Sequence, residues 1–218
     1  MNWAQLGPQI WKASVDTIYM VGVSTFFTLL LGLPLGILLI ITDRDGLVPI
    51  PWLNAILGFI VNLGRSLPFV ILLIAILPFT RLLVGTTIGS KAAIVPLAVS
   101  AIPFFARISE TSLREVDKGL IEAAQAMGCN LWQIIIKVLL PESLPSLVLG
   151  TAITIISLIG YSAMAGTIGG GGLGDLAIRY GYQRFQTEVM IITVVLLIVM
   201  VQLVQWLGNL LARALSHR

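Results

Sequence analysis

Charge is scarce in this chain. Asp, Glu, Lys and Arg make up 11% of its 218 residues, against about 25% in an ordinary soluble domain, and the mean hydropathy is +1.00. Such a composition cannot cover a folded surface with wettable groups, which excludes a soluble globular domain. The scarcity is also uneven, since residues 17–42, 143–174 and 189–212 contain no charged side chain at all. Each run exceeds the roughly 20 residues that carry a helix across a bilayer, whereas a soluble helix would show a polar face every few positions.

Reactive side chains are equally few. The single Cys129 rules out an internal disulfide and a zinc knuckle. The single His217 stands beside the C-terminus, no His-Glu-x-x-His occurs, and Ser162 lacks Gly-x-Ser-x-Gly flanks. An intramembrane enzyme needs a nucleophile with its base or a metal cluster, so no catalytic residue, cofactor or metal ligand is assigned to this chain. The net charge of +3 comes from basic residues scattered at helix ends rather than clustered with aromatics, which argues against nucleic acid. The N-terminus lacks the basic start, short apolar core and small-residue site of a signal peptide, so its first apolar run is expected to stay as a membrane anchor.

What is present is an all-α membrane protein, read as one domain over 1–218 with five spans, at about 18–41, 57–79, 92–108, 144–165 and 189–211. The second and third are placed across a stretch cut by Arg65, Arg81, Lys91 and Arg107, with turn residues Gly85, Thr86, Thr87 and Gly89 between them. An odd count puts the termini on opposite sides. Arg44, Arg107, Arg114, Lys118, Lys137, Arg213 and Arg218 then share one side, against Lys12, Arg81, Lys91, Arg179 and Arg184. The richer side is assigned to the cytoplasm, with the N-terminus outside and the C-terminus inside.

The only long polar stretch, about 109–141, lies on that cytoplasmic side. Leu113, Val116, Leu120, Ala124 and Met127 recur at intervals of three and four, the spacing of an amphipathic helix. Gly128 stops it. Asn130 with Gln133 caps a second helix, which is expected to finish before Pro141. A mere connection needs only a few residues, so a helical pair here points to a docking surface. An amphipathic helix lying on lipid is the plainer alternative, disfavoured because the stretch is acidic as well as basic.

Two further segments stand out within the apolar regions. Arg65, in Asn62-Leu63-Gly64-Arg65-Ser66-Leu67-Pro68, costs on the order of 2.5 to 3.5 kcal/mol in lipid unless it faces the bundle interior or water. It either lines a pathway or snorkels from a helix start to the headgroups. The fourth span ends in Gly160-Tyr161-Ser162-Ala163-Met164-Ala165-Gly166 and runs into Gly169-Gly170-Gly171-Gly172. This glycine density suits a gate, or close helix packing with a flexible external turn. It is not a phosphate loop, having no Gly-Lys-Ser/Thr ending. Ion-coupled carriers place acidic residues at the midplane, and the charge-free runs have none.

Glu122-Ala123-Ala124, then Gly128, then Val138-Leu139-Leu140-Pro141 resembles the EAA loop of ABC importer permeases, with Val138 where the family carries Ile. The resemblance implies a coupling helix seated on an ATP-binding subunit, involving Glu122, Ala123, Ala124, Gly128, Leu140 and Pro141. Glu122 would offer a carboxylate to the partner, Ala123 and Ala124 would allow its close approach, and Gly128 would make the corner. The Arg-Ser-Leu-Pro string is similar to an Arg-small-x-Pro string in amino-acid permeases. Gly160 to Met164, the glycine run, Tyr180-Gly181-Tyr182, Pro78-Phe79-Thr80-Arg81 and Val84-Gly85-Thr86 resemble the methionine-importer permeases. That subfamily implies five spans, a second identical permease, two cytoplasmic subunits holding ATP and Mg, and an external methionine-binding protein in a bacterial inner membrane. Arg65, Ser66, Pro68, Tyr161, Ser162 and Met164 are then expected on the pathway or its gate, Met164 as an apolar plug between the two copies.

Overall fold

A computed structural model describes residues 3–216, and every regular element among them is helical. Helix α1, Trp3–Ile41, has 39 residues, about 58 Å at 1.5 Å per residue. It therefore begins well before the apolar run at 18 and carries Lys12 and Asp16 within its N-terminal turns. At its other end Thr42 Oγ1 donates to the Leu38 carbonyl at 2.6 Å and Asn54 Nδ2 donates to the Leu39 carbonyl at 2.7 Å. These bonds satisfy carbonyls that a helix terminus leaves open.

Helix α2, Pro51–Ser66, opens on a proline, which the first turn accepts. The single span expected over 57–79 is broken. Pro68 forces Leu67 into an extended conformation (φ −79°, ψ 124°), and α3, Phe69–Ala75, leaves at 101° to α2. A third piece, α4, Leu77–Val84, follows, so the connecting turn is confined to 85–89, closed by left-handed Gly85. Helix α5, Ser90–Arg114, runs six residues beyond the expected end at 108.

Helix α6, Lys118–Ala126, follows after a three-residue break. Helix α7, Leu131–Ile134, was expected to finish before Pro141, and it does not. It passes through a widened π turn, Ile135–Leu139, into α8, Leu140–Ala165. The proline has no N–H to give and its ring crowds the preceding turn. Widening that turn lets the Leu140 N–H donate to Ile135 and the chain stay helical. After a short 3₁₀ turn come α9, Gly172–Leu176, a second π turn, Ala177–Tyr182, and α10, Thr187–Leu215. Arg218, counted above with the cytoplasmic cations, and His217 lie outside the described residues.

Four helices are long and apolar enough to cross a membrane, and the bent α2–α3 pair makes a fifth candidate. The core joins Met20 and Val21 of α1, Leu97 and Ala101 of α5, and Leu158 and Ile159 of α8. Outward faces are apolar as well: Phe26 and Leu30 on α1 and Ile191, Val195 and Ile198 on α10 are each at least half exposed. Lipid is the solvent that suits such a surface. Small residues set the closest approaches, as is usual between membrane helices. A Cβ on Gly36 would come within 2.6 Å of Ser109 Cβ, and one on Gly208 within 2.6 Å of Ala152 Cβ.

The glycine run is ordered rather than a flexible external turn. The Leu173 N–H donates to the buried Thr17 hydroxyl at 2.9 Å, and the Gly89 N–H donates to the Gly169 carbonyl at 2.9 Å. Gly172 (φ +75°) has Thr17 Oγ1 2.6 Å from where its Cβ would stand. No larger residue fits there without displacing α1.

Candidate coupling surface and membrane groove

The end of α6 follows from three residues. The Gly128 N–H donates to Gln125 and the Cys129 N–H to Ala124, the paired bonds of a Schellman ending, with Gly128 at φ +80°. Immediately afterwards Asn130 accepts from the Gln133 N–H while Gln133 accepts from the Asn130 N–H, both at 2.9 Å. This reciprocal capping box starts α7. Two linked caps turn the chain at a corner whose glycine has open space around it, so conformation and not crowding selects glycine.

The expected apolar stripe does not run through the loop as one face. Because α5 stops at Arg114 and α6 restarts after Asp117, whose side chain accepts the Gly119 N–H, the period is reset. Leu113, Val116 and Ala124 are buried together with Ile41, Ile134, Ile135 and Leu139, whereas Leu120 and Met127 are 45% and 77% exposed. Ala124, at 2% exposure, therefore packs α6 onto its own protein, and the partner-facing role expected for it is corrected. Glu122, Ala123 and Gly128 are exposed on the outer side of α6, and Trp132 is exposed nearby on α7. Leu140 is half-buried, and Pro141 is exposed at the start of α8.

A polar cluster that the sequence reading overlooked lies just inside this surface. Glu110 of α5 is 6% exposed, with Arg107 at 2.6 Å and Arg114 at 2.9 Å. Arg114 also reaches Asp43, beyond the end of α1, at 2.8 Å, and Arg107 donates to Asn62 Oδ1 of α2 at 2.8 Å. The Arg44 N–H and the Arg114 guanidinium hold the Asp43 carboxyl below its ordinary range. The available signal was the spacing Arg107, Glu110, Arg114, three and then four residues apart on one helix face.

Beyond Arg107 opens a groove of about 330 Å³ between α2, α5 and α8, lined by Arg65, Arg107, Thr111, Ser112, Ser146 and Gly150 among others. Ser146 donates to Ser112 at 3.0 Å within it. Arg65, Ser66 and Pro68 are exposed around the α2–α3 kink, and Arg65 has no ion pair among the described residues. The kink meets α8 elsewhere, where Tyr161 stacks on Phe69 with centroids 4.6 Å apart. Met164 is 45% exposed further along α8. Ser162 is enclosed at 2% exposure and donates to the Ile159 carbonyl at 2.7 Å, so it turns into the protomer and away from the surface that Met164 occupies. Arg65 thus lines the groove, while Met164 is not among the residues that line it. Among the described residues no group of three His, Cys, Asp or Glu side chains stands together as metal ligands.

Known proteins resemble this chain in sequence and in fold. Residues 32–217 match the model of the binding-protein-dependent transport system inner membrane component family. A probable D-methionine transport system permease protein, MetI, of Vibrio cholerae is 53% identical over 94% of this chain and 92% of its own. The methionine import system permease protein MetP of Bacillus subtilis is 43% identical over 96% and 95%. A chain of the MetNI methionine ABC transporter, solved in inward-facing conformations, superposes with a TM-score of 0.96 at 46% identity, over 98% of this chain and 99% of that one. A chain of an amino acid ABC transporter solved with histidines has the same fold at 19% identity, with a TM-score of 0.78. Near full-length similarity in sequence and in structure places this all-helical, multi-pass chain in the family of binding-protein-dependent transport system inner membrane components.

Proposed function

We propose that two copies of this chain form the pathway through which an ATP-driven importer carries methionine across a bacterial cytoplasmic membrane. The observation that carries the coupling half of this reading is the exposed side of α6. Ala124 fastens the helix to the protein's own core, while Ala123 faces outward beside a corner fixed by Gly128, and Glu122 is exposed at the rim of the cavity that α6 shares with Asp43 and Arg114. A helix fastened on one side and free on the other transmits a push from whatever covers it. ATP and Mg belong to the covering subunits, two per complex, and an external solute-binding protein delivers substrate to the opposite face. This puts the N-terminus outside and the C-terminus in the cytoplasm, as the Lys and Arg distribution favours.

Methionine is supported by the permeases of Vibrio cholerae and Bacillus subtilis and by the methionine transporter structure. The groove adds a chemical reason for an amino acid. Arg107 is neutralised by Glu110, which leaves Arg65 as a cation without a counter-charge in the groove, suited to a passing α-carboxylate. Met164 and the kink face lie at the protomer surface, where a second copy completes the pathway. The gate is read as Arg65, Ser66, Pro68, Tyr161 and Met164. Ser162 supports it from behind.

The test uses Ala123→Arg. The residue is exposed and touches none of the core, so the variant inserts and folds normally. Loss of the ATP-binding subunits on purification, together with loss of uptake, is expected. Retention of both would remove α6 from the interface.

A further inference from the structure

Glu110 sits where α1, α2 and α5 come together, and its surroundings are fastened rather than loosely packed. A Cβ on Gly36 would come within 3.1 Å of the Glu110 nitrogen, and one on Gly64 within 2.8 Å of Pro103 Cγ. Both neighbouring helices therefore lie against α5 with no room to spare. Apolar contact of this kind is non-directional. Register is set by the directed bonds, and here these form one unbroken run: Asp43 to Arg114, Arg114 to Glu110, Glu110 to Arg107, Arg107 to Asn62.

The two ends of the run open on different places. Asp43 and Arg114 line a cavity of about 250 Å³ whose other wall is α6, through Lys118, Ile121, Glu122 and Gln125. Arg107 lines the groove that also holds Arg65. Two carboxylates and two guanidiniums balance, and the only member that is nearly sealed from solvent is Glu110. A buried carboxylate is tolerable while its arginines hold it and strongly unfavourable once they withdraw. The pairing therefore has two well-separated conditions, made or broken, rather than a continuum.

We propose that Glu110 is a positioning residue that ties the place of Arg107 in the groove to the place of α6, so that displacement of α6 resets the charged wall of the pathway. The proposal rests on α6 being the coupling helix. Arg114 is the last residue of α5, with three residues between it and α6, which makes it the first charged-network member to feel that displacement. Arg107, seven residues earlier on α5, hands it to α2 through Asn62.

The experiment compares Glu110→Gln and Glu110→Asp in the complete complex, permease with its ATP-binding subunits, in proteoliposomes supplied with the binding protein and labelled methionine. ATP hydrolysis and uptake are measured together. In Glu110→Gln, hydrolysis is expected to stay within about twofold while methionine moved per ATP falls about tenfold, the size of an ordinary coupling between sites. Glu110→Asp restores most of the ratio because the carboxylate returns. A merely structural role would lower assembly and both rates together and leave methionine per ATP unchanged, and that result overturns the proposal.

Should Glu110→Gln fail to assemble, Asn62→Ala is read instead, since it keeps Glu110 paired with both arginines and releases only the α2 end. A fall of about threefold or more in methionine per ATP supports the relay, and an unchanged ratio overturns it. Failure of the coupling reading looks different: Ala123→Arg would then keep both its ATP-binding subunits and its uptake, whatever the Glu110 variants do.

Discussion

At the scale of single residues, two small side chains in one short helix do opposite work. Ala124 is small because it packs inward against Ile41, Leu113 and Leu139, and Ala123 is small on the outer face. Ala124→Leu is expected to overpack that core by about 1–3 kcal/mol, lowering the melting temperature of purified permease even without its partners. Ala123→Leu should leave that temperature unchanged and weaken only association with the ATP-binding subunits. Gly128 is a third case, since its φ of +80° meets no neighbour. Gly128→Val puts a β-branched residue in the left-handed region, at a cost of about 1–3 kcal/mol. It should unwind the corner, with ATP-driven uptake lost before insertion is. Arg65→Ala is expected to reduce maximal uptake rate strongly with little change in melting temperature, and Arg65→Lys to restore part of it. Snorkelling would predict near-normal transport from both. Asp43 adds a pH dependence. Its carboxyl titrates below the ordinary range in the folded chain, so its stabilisation is complete above the unfolded value of about 4 and is lost as pH falls. Melting curves of the parent and Asp43→Asn should therefore converge on acidification.

At the scale of elements, the long runs without charge were legible from composition, because a bilayer rewards apolar length and little else. The α6 corner was legible too: Gly128, Asn130 and Gln133 are local signals, and local bonds satisfy them. What the sequence did not disclose was set by packing between distant segments. Pro68 bends a continuous apolar stretch, and only the neighbours of Phe69, notably Tyr161, decide the direction. Pro141 reads as a helix stop, yet a π turn absorbs it because the flanking residues, Ile134, Ile135 and Leu139, are held in a core on either side. Gly32 and Gly36 stand four apart on one face of α1, and nothing local in the sequence names the helix they meet. A Cβ on Gly32 would come within 3.1 Å of the Ile102 carbonyl. Gly36→Leu is expected to drive α1 from α5, with a large fall in detergent thermostability and in surface accumulation. The Glu110 cluster stayed hidden for a similar reason, since Asp43, just past α1, and Asn62, on α2, come to it from distant parts of the chain.

At the scale of the whole molecule, the chain is proposed to be half of a two-copy pathway. Its core is continuous through α1, α5 and α8, while large apolar side chains of α1 and α10 face outward to lipid. Its most mixed surface, α6 with the α1–α2 turn, lies at one end, and its cationic groove lies within the bundle depth close by. In the proposed assembly, ATP-binding subunits cover that end and a second copy lies across the kink face. The central claim is that ATP hydrolysed by partner subunits drives methionine through this chain. The most direct measurement is uptake of labelled methionine into proteoliposomes containing the purified permease with and without its ATP-binding subunits, with binding protein present. Uptake that requires those subunits and hydrolysable ATP, and that excess unlabelled methionine abolishes while other amino acids compete weakly, is the predicted result. Methionine flux through the permease alone, or flux driven by an ion gradient without ATP, would contradict it.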